Sequence, residues 1–161
     1  MEKSVDKDYQ GIRGWLILVV IGLVITPINI GISLYQTHLP IFSDGTWQVL
    51  TSPSSESYHS LWAPLLAFEI IGNLGVIALA LATLYFITQK SRHVPAIAIF
   101  YFLASFAFVL IDVAFTQMIP AISSQPTDPE TIKEVTRSFI GTVIWVPYFF
   151  FSKRVKATFT Q

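Results

Sequence analysis

The sequence predicts an all-α fold, an integral membrane four-helix bundle with the N and C termini cytoplasmic. Three observations predict it: 53% of the 161 residues are apolar and only 12% are charged, several apolar runs have the length a bilayer demands, and basic residues gather on one side of those runs. An ordinary soluble domain carries about a quarter of its residues charged, whereas the mean hydropathy here is +0.60. Ten Lys and Arg balance ten Asp and Glu, so there is no net field to hold nucleic acid. The chain has no cysteine, which excludes disulfides, thiolate metal sites and thiol redox chemistry. Residues 1–161 read as one membrane domain with spans at about 15–35, 63–87, 95–119 and 132–151.

The first run is long enough to cross, since about 20 apolar residues span the hydrocarbon, and Trp15 and Tyr35 mark its interface levels. Gly22, Thr26 and Asn29 share a face, while Pro27 withholds an N–H from the Leu23 carbonyl and predicts a kink. Thr37, His38 and Leu39 follow instead of a small-residue cleavage site, so the run is expected to stay as a span. The outer loop 36–62 holds Pro40, Asp44, Gly45, Pro53 and a Ser-rich stretch. It reads as a solvated loop with a short interfacial helix at 44–51, laid down by Trp47, or alternatively as a lid or partner-docking loop. His38 and His59, at its flanks, are expected to be solvated.

The second run opens with Pro64 in its first turn. Glu69, Gly72 and Asn73 are three and four apart and form one stripe, and Gly75, Ala78 and Ala82 form a small-residue stripe suited to close helix contact within the bundle or across a dimer. A tight inner turn at 89–94 carries Lys90, Arg92 and His93. Pro95 opens the third run and Pro120 closes it, with Ser105, Val109, Asp112 and Thr116 on one face. The apolar part of the fourth, 138–151, covers only about 21 Å at about 1.5 Å per residue. To span, it borrows the turns before it, which brings Arg137 below the membrane boundary. Thr127 with Glu130 three residues later resembles a capping box, so the helix is expected to start near Asp128.

Orientation is set by the basic residues. Lys3, Lys7, Arg13, Lys90, Arg92, Lys153, Arg154 and Lys156 fall on one side, and Lys133 and Arg137 on the other; Lys and Arg accumulate in short cytoplasmic segments. Lys90, Arg92, Lys153, Arg154 and Lys156 are therefore read as topology determinants that can also touch anionic lipid.

Ionisable groups inside a bilayer are costly and mark the places to look for function. Glu69 lies six residues inside its span and Asp112 seven, roughly 9 to 11 Å below the outer surface. Asn29 and Arg137 reach the same level, so Asn29, Glu69, Asn73, Asp112 and Arg137 form one polar layer. Arg137 is expected to pair with Asp112, Glu69 or both. One acid is then in surplus, and it serves either in a static hydrogen-bonded strut or as a carrier of a proton or a cation.

No nucleophile, base and orienter can be assembled, and neither a Gly-rich phosphate loop nor an H-E-x-x-H motif occurs. The chain is therefore expected not to be an enzyme, with no catalytic residues, no cofactor and no metal site. An accessory or interaction protein in the lipid bilayer, with a membrane-protein partner or as a homo-oligomer, is the expected function. The alternative is a small oligomeric transporter or proton-linked channel using Glu69 and Asp112.

Three stretches carry a family resemblance: Gly11-Ile12-Arg13-Gly14-Trp15-Leu16 at the first span; Tyr58, His59, Trp62, Pro64, Phe68, Glu69 and Asn73; and Ile144-Trp145-Val146-Pro147-Tyr148-Phe149 with Ser152-Lys153-Arg154-Val155-Lys156-Ala157-Thr158-Phe159. With these the chain resembles the DUF2569 family of small bacterial inner-membrane proteins along nearly its whole length. The resemblance implies a four-span bacterial membrane protein and supplies no activity, substrate or catalytic residue.

Overall fold

The computed structural model describes residues 11–160; Lys3 and Lys7, used above for orientation, lie outside the described residues. Among those residues the regular structure is helical, without a strand. Helix α1 (Trp15–Ser33) runs into a π-helical turn (Leu34–His38), followed by α2 (Leu39–Ser43) and α3 (Thr46–Thr51). Then come α4 (Trp62–Thr88), α5 (Val94–Thr116), the short α6 (Pro120–Ser123), α7 (Pro129–Phe151) and α8 (Lys153–Thr158).

Three helical stretches are long and apolar enough to cross a membrane: Trp15–Ser43, Trp62–Thr88 and Val94–Thr116. The molecule has the apolar exterior of a membrane protein. Ile17, Leu18, Ile21, Val24, Ile25 and Ile28 on α1, and Ile71, Leu74 and Leu81 on α4, all face outward, an amount of exposed apolar surface that water would not tolerate and lipid accepts. The stripe of Gly75, Ala78 and Ala82 shares this surface in part: Gly75 and Ala78 are exposed, and a Cβ on Gly75 would meet nothing within 4 Å.

Several boundaries differ from the sequence expectation; the third long helix ends at Thr116, and Pro120 opens the short α6 instead of closing it. The first helix does not end at residue 35 but continues in helical form to Ser43. Pro40 cannot donate a helical hydrogen bond, and the wide π turn just before it absorbs the missing N–H without breaking the helix. The short helix expected at 44–51 begins at Thr46, after Gly45 turns the chain at φ 88°, a left-handed conformation that glycine adopts without strain. At the start of α7 the cap is Asp128, whose Oδ1 accepts the Glu130 N–H at 3.1 Å, in place of the Thr127 capping box.

Helix neighbours keep chain order: α1 packs on α4, α4 on α5, and α5 on α7. The end of the bundle that holds residues 89–93 and 152–160 is termed proximal; the opposite, distal end holds residues 44–61 and 117–128. At the proximal end α1 and α7 also meet, through Trp15 and Trp145, whose ring centroids are 6.3 Å apart. Helix α8 folds beneath them, Val155 and Phe159 joining a core of Leu16, Val19, Leu23, Ala80, Ile87, Val94, Ala98 and Phe149. Thr158 Oγ1 accepts the Gly11 N–H at 3.1 Å, tying both described chain ends together. In lipid such a core is held by close packing more than by exclusion of water.

Candidate functional site

The main apolar cluster fills the proximal half, with Leu65, Leu66 and Ile119 buried separately at the distal end. Distally α1 and α7 stand apart, and a cavity of about 820 Å³ lies among α1, α4, α5 and α7. Each helix sends polar residues to it at helical spacing: Thr26, Asn29 and Ser33 from α1; Glu69 and Asn73 from α4; Ser105 and Asp112 from α5; Glu130, Lys133, Glu134, Arg137 and Ser138 from α7. The cavity floor is aromatic. Tyr101, Phe102 and Trp145 line it, Phe102 stacking on Trp145 at 6.4 Å, and Tyr101 is buried. A cross-helix hydrogen bond from Thr142 Oγ1 to the Phe102 carbonyl, 3.2 Å, fixes α7 against α5 at this level.

All five residues of the sequence-derived layer line this one cavity: Asn29, Glu69, Asn73, Asp112 and Arg137. Their pairing differs from the expectation. Among the described residues no ion pair joins Arg137 to Asp112 or Glu69; Glu69 Oε2 instead lies 2.8 Å from His38 Nε2. The π turn explains this, since a turn with an extra residue rotates the side chains after it to a new face, and His38 is its last residue. Arg137 acts on Glu134, one turn earlier on its own helix, and Lys133 bridges to Glu130 at 3.2 Å.

Asp112 is left over. Its Oδ1 is buried and has no hydrogen-bond partner, and the charged groups acting on it are Glu69 and Glu134 of like sign and His38 of opposite sign. His38 and Glu134 are among the lining residues that the sequence does not place in the layer. His38 looked like a solvated loop residue, although the apolar Leu39, Ile41 and Phe42 after it signal that the helix continues. Glu134 lies three residues before Arg137, a spacing that puts both on one face.

The five basic residues of the topology set, Lys90, Arg92, Lys153, Arg154 and Lys156, sit in the α4–α5 turn and on α8, at the proximal end and away from the cavity. Lys90 turns the chain there with φ 51°. Among the described residues no group of three or more His, Cys, Asp or Glu converges as metal ligands.

Residues 9–160 match the family described as "Protein of unknown function (DUF2569)". The chain belongs to that family. No curated protein and no solved structure matches it.

Proposed function

We propose that this member of the DUF2569 family is a non-catalytic, multi-pass protein of the bacterial inner membrane that receives a polar group in an outward-open cup. The polar group belongs to a small ligand or to a membrane-protein partner, including a second copy of the chain. In this reading α7 is the fourth span, the four long helices form the bundle, and both termini are cytoplasmic. Lipid surrounds the exterior, and nucleic acid is not a partner.

The observation that carries the reading is the division of the molecule into a polar distal cavity and an apolar proximal core. Charged side chains at membrane depth are tolerated where they line a water-filled cavity. That condition supports α7 as a span despite four charges: Glu130, Lys133, Glu134 and Arg137 line the cavity, Lys133 and Arg137 also bordering an open groove with Ile132 and Ile140, while Phe139, Val143 and Ile144 turn outward. The basic proximal residues support a cytoplasmic position for that end, so the cup opens on the other side.

A second reading, a small oligomeric transporter or proton-linked channel, draws support from Glu69 and Asp112 in the cup, and from the unpartnered Asp112 Oδ1 in particular. One experiment tests the orientation that both readings share, and a second separates the readings. A periplasm-active reporter fused after Gln161 is expected to be silent, and activity there would overturn the orientation. Proteoliposomes are expected to show no pH-driven flux that changes in Glu69→Gln or Asp112→Asn; flux sensitive to either substitution would replace the first reading with the second.

A further inference from the structure

Four carboxylates line the cavity, and three of them are answered. Glu69 meets His38 at 2.8 Å and Glu130 meets Lys133 at 3.2 Å, while Glu134 has Arg137 one turn away. Asp112 forms no ion pair among the described residues, and its buried Oδ1 accepts no hydrogen bond. A buried acceptor without a donor costs free energy until a donor arrives, and a charge-bearing donor suits a carboxylate best.

Below Asp112 the lining changes character. Phe108 lies one turn toward the proximal end, Ser105 two turns, and the aromatic pair Phe102 and Trp145 forms the floor. Ten residues of α5 separate Asp112 from Phe102, roughly 15 Å along the axis. The cavity is thus an acid at one level and an aromatic platform at another, with about 820 Å³ between the walls, inside the range of about 300 to 1,000 Å³ typical of small-molecule sites. Aromatic faces bind apolar groups and also attract cations.

We propose that this cavity is a binding site for an elongated organic ammonium ion, with the nitrogen donating to Asp112 and the apolar body lying on Phe102 and Trp145. The proposal rests on the reading of the cavity as a cup. The ammonium is either a free amine or the headgroup of an aminophospholipid that enters between α1 and α7; the recognising chemistry is the same.

The probe is dansylcadaverine, an aryl group joined through a five-carbon chain to a primary ammonium, titrated by fluorescence against the full chain in phosphatidylglycerol nanodiscs. Saturable binding is expected, weakened about tenfold or more in Asp112→Asn, as loss of a charge-assisted contact implies. The N-acetylated, uncharged probe is expected to bind about tenfold or more weakly as well. Repeating the titration with phosphatidylethanolamine added to the discs distinguishes the two sources: competition assigns the site to the lipid headgroup, and no competition assigns it to a free amine.

Should Asp112→Asn fail to fold, the wild-type chain supplies the second measurement. Carbodiimide labelling of Asp112, read by peptide mass, is expected to fall when the probe is present. Equal binding of the charged and acetylated probes, equal binding by wild type and a folded Asp112→Asn, or unprotected labelling would each overturn the proposal. These results do not depend on membrane orientation. An active reporter after Gln161 would therefore remove the outward-open reading while leaving the ammonium site to stand or fall by itself.

Discussion

His38 Nε2 lies 2.8 Å from Glu69 Oε2, so the π turn at the distal end of α1 is fastened to α4. Both side chains are largely enclosed, at 12% and 20% exposure. The contact closes one wall of the polar cavity, which also contains Asn73 and Asp112.

The pair is expected to act as a unit. His38→Ala and Glu69→Gln should each lower the detergent melting temperature, and the double variant should be no less stable than the worse single one. Contacts of this kind in membrane proteins are worth about 0.6 to 1.7 kcal/mol, and a double-mutant cycle measures the coupling directly. Additive losses would contradict the pairing.

Two glycines on α4 should respond oppositely to the same change. A Cβ on Gly72 would overlap the Phe108 ring, which packs on Phe68 at a centroid distance of 5.2 Å; Gly72→Ala should cost about 1 to 3 kcal/mol by overpacking. Gly75 has open space around it, so Gly75→Ala should be neutral or stabilise by up to about 1 kcal/mol through helix propensity. Thermal unfolding of the two variants checks this, and equal effects would contradict the packing.

Capping of α7 is assigned to Asp128, whose Oδ1 accepts the Glu130 N–H at 3.1 Å. Asp128→Ala should destabilise the first turn by about 1 kcal/mol, and Thr127→Ala should leave it unchanged. Amide exchange at Glu130 reads the difference: faster exchange in the Thr127 variant alone would reverse the assignment.

Asp44 gives a pH dependence outside the membrane spans. Hydrogen bonds from Thr46, including its N–H at 2.9 Å, hold the Asp44 carboxyl below its ordinary 3.8. A group with a depressed folded value stabilises fully above its unfolded value, and that support is lost as pH falls through the folded one. Protection of the Thr46 amide should therefore be greater at neutral pH than in strong acid, and Asp44→Asn should flatten the profile. An unchanged profile in that variant would contradict the assigned contact.

Much of the cavity was legible from spacing alone. The cost of charge in lipid singled out Glu69, Asp112 and Arg137, and steps of three and four residues added Asn73; counting residues from the span ends then put all of them, with Asn29, at one depth. Depth does not fix which side chain touches which. Arg137 and Glu69 share a level, yet Glu69 is held by His38, because a π turn shifts the phase of the helix and leaves only Pro40 as its trace in the sequence. The start of α7 near Asp128 was legible, while the capping atom was not: Thr127 and Asp128 both offer side-chain oxygens, and the backbone angles decide between them.

The chain contains no cysteine, so single cysteines can be introduced without background to test whether the cup opens outward. Asn29→Cys, Glu134→Cys and Arg92→Cys would be exposed, one at a time, to a membrane-impermeant maleimide on intact spheroplasts and again after permeabilisation. The outward-open cup predicts labelling at positions 29 and 134 in intact spheroplasts and at position 92 only after permeabilisation. The reverse pattern, or cup positions that stay unlabelled under both conditions, would contradict it.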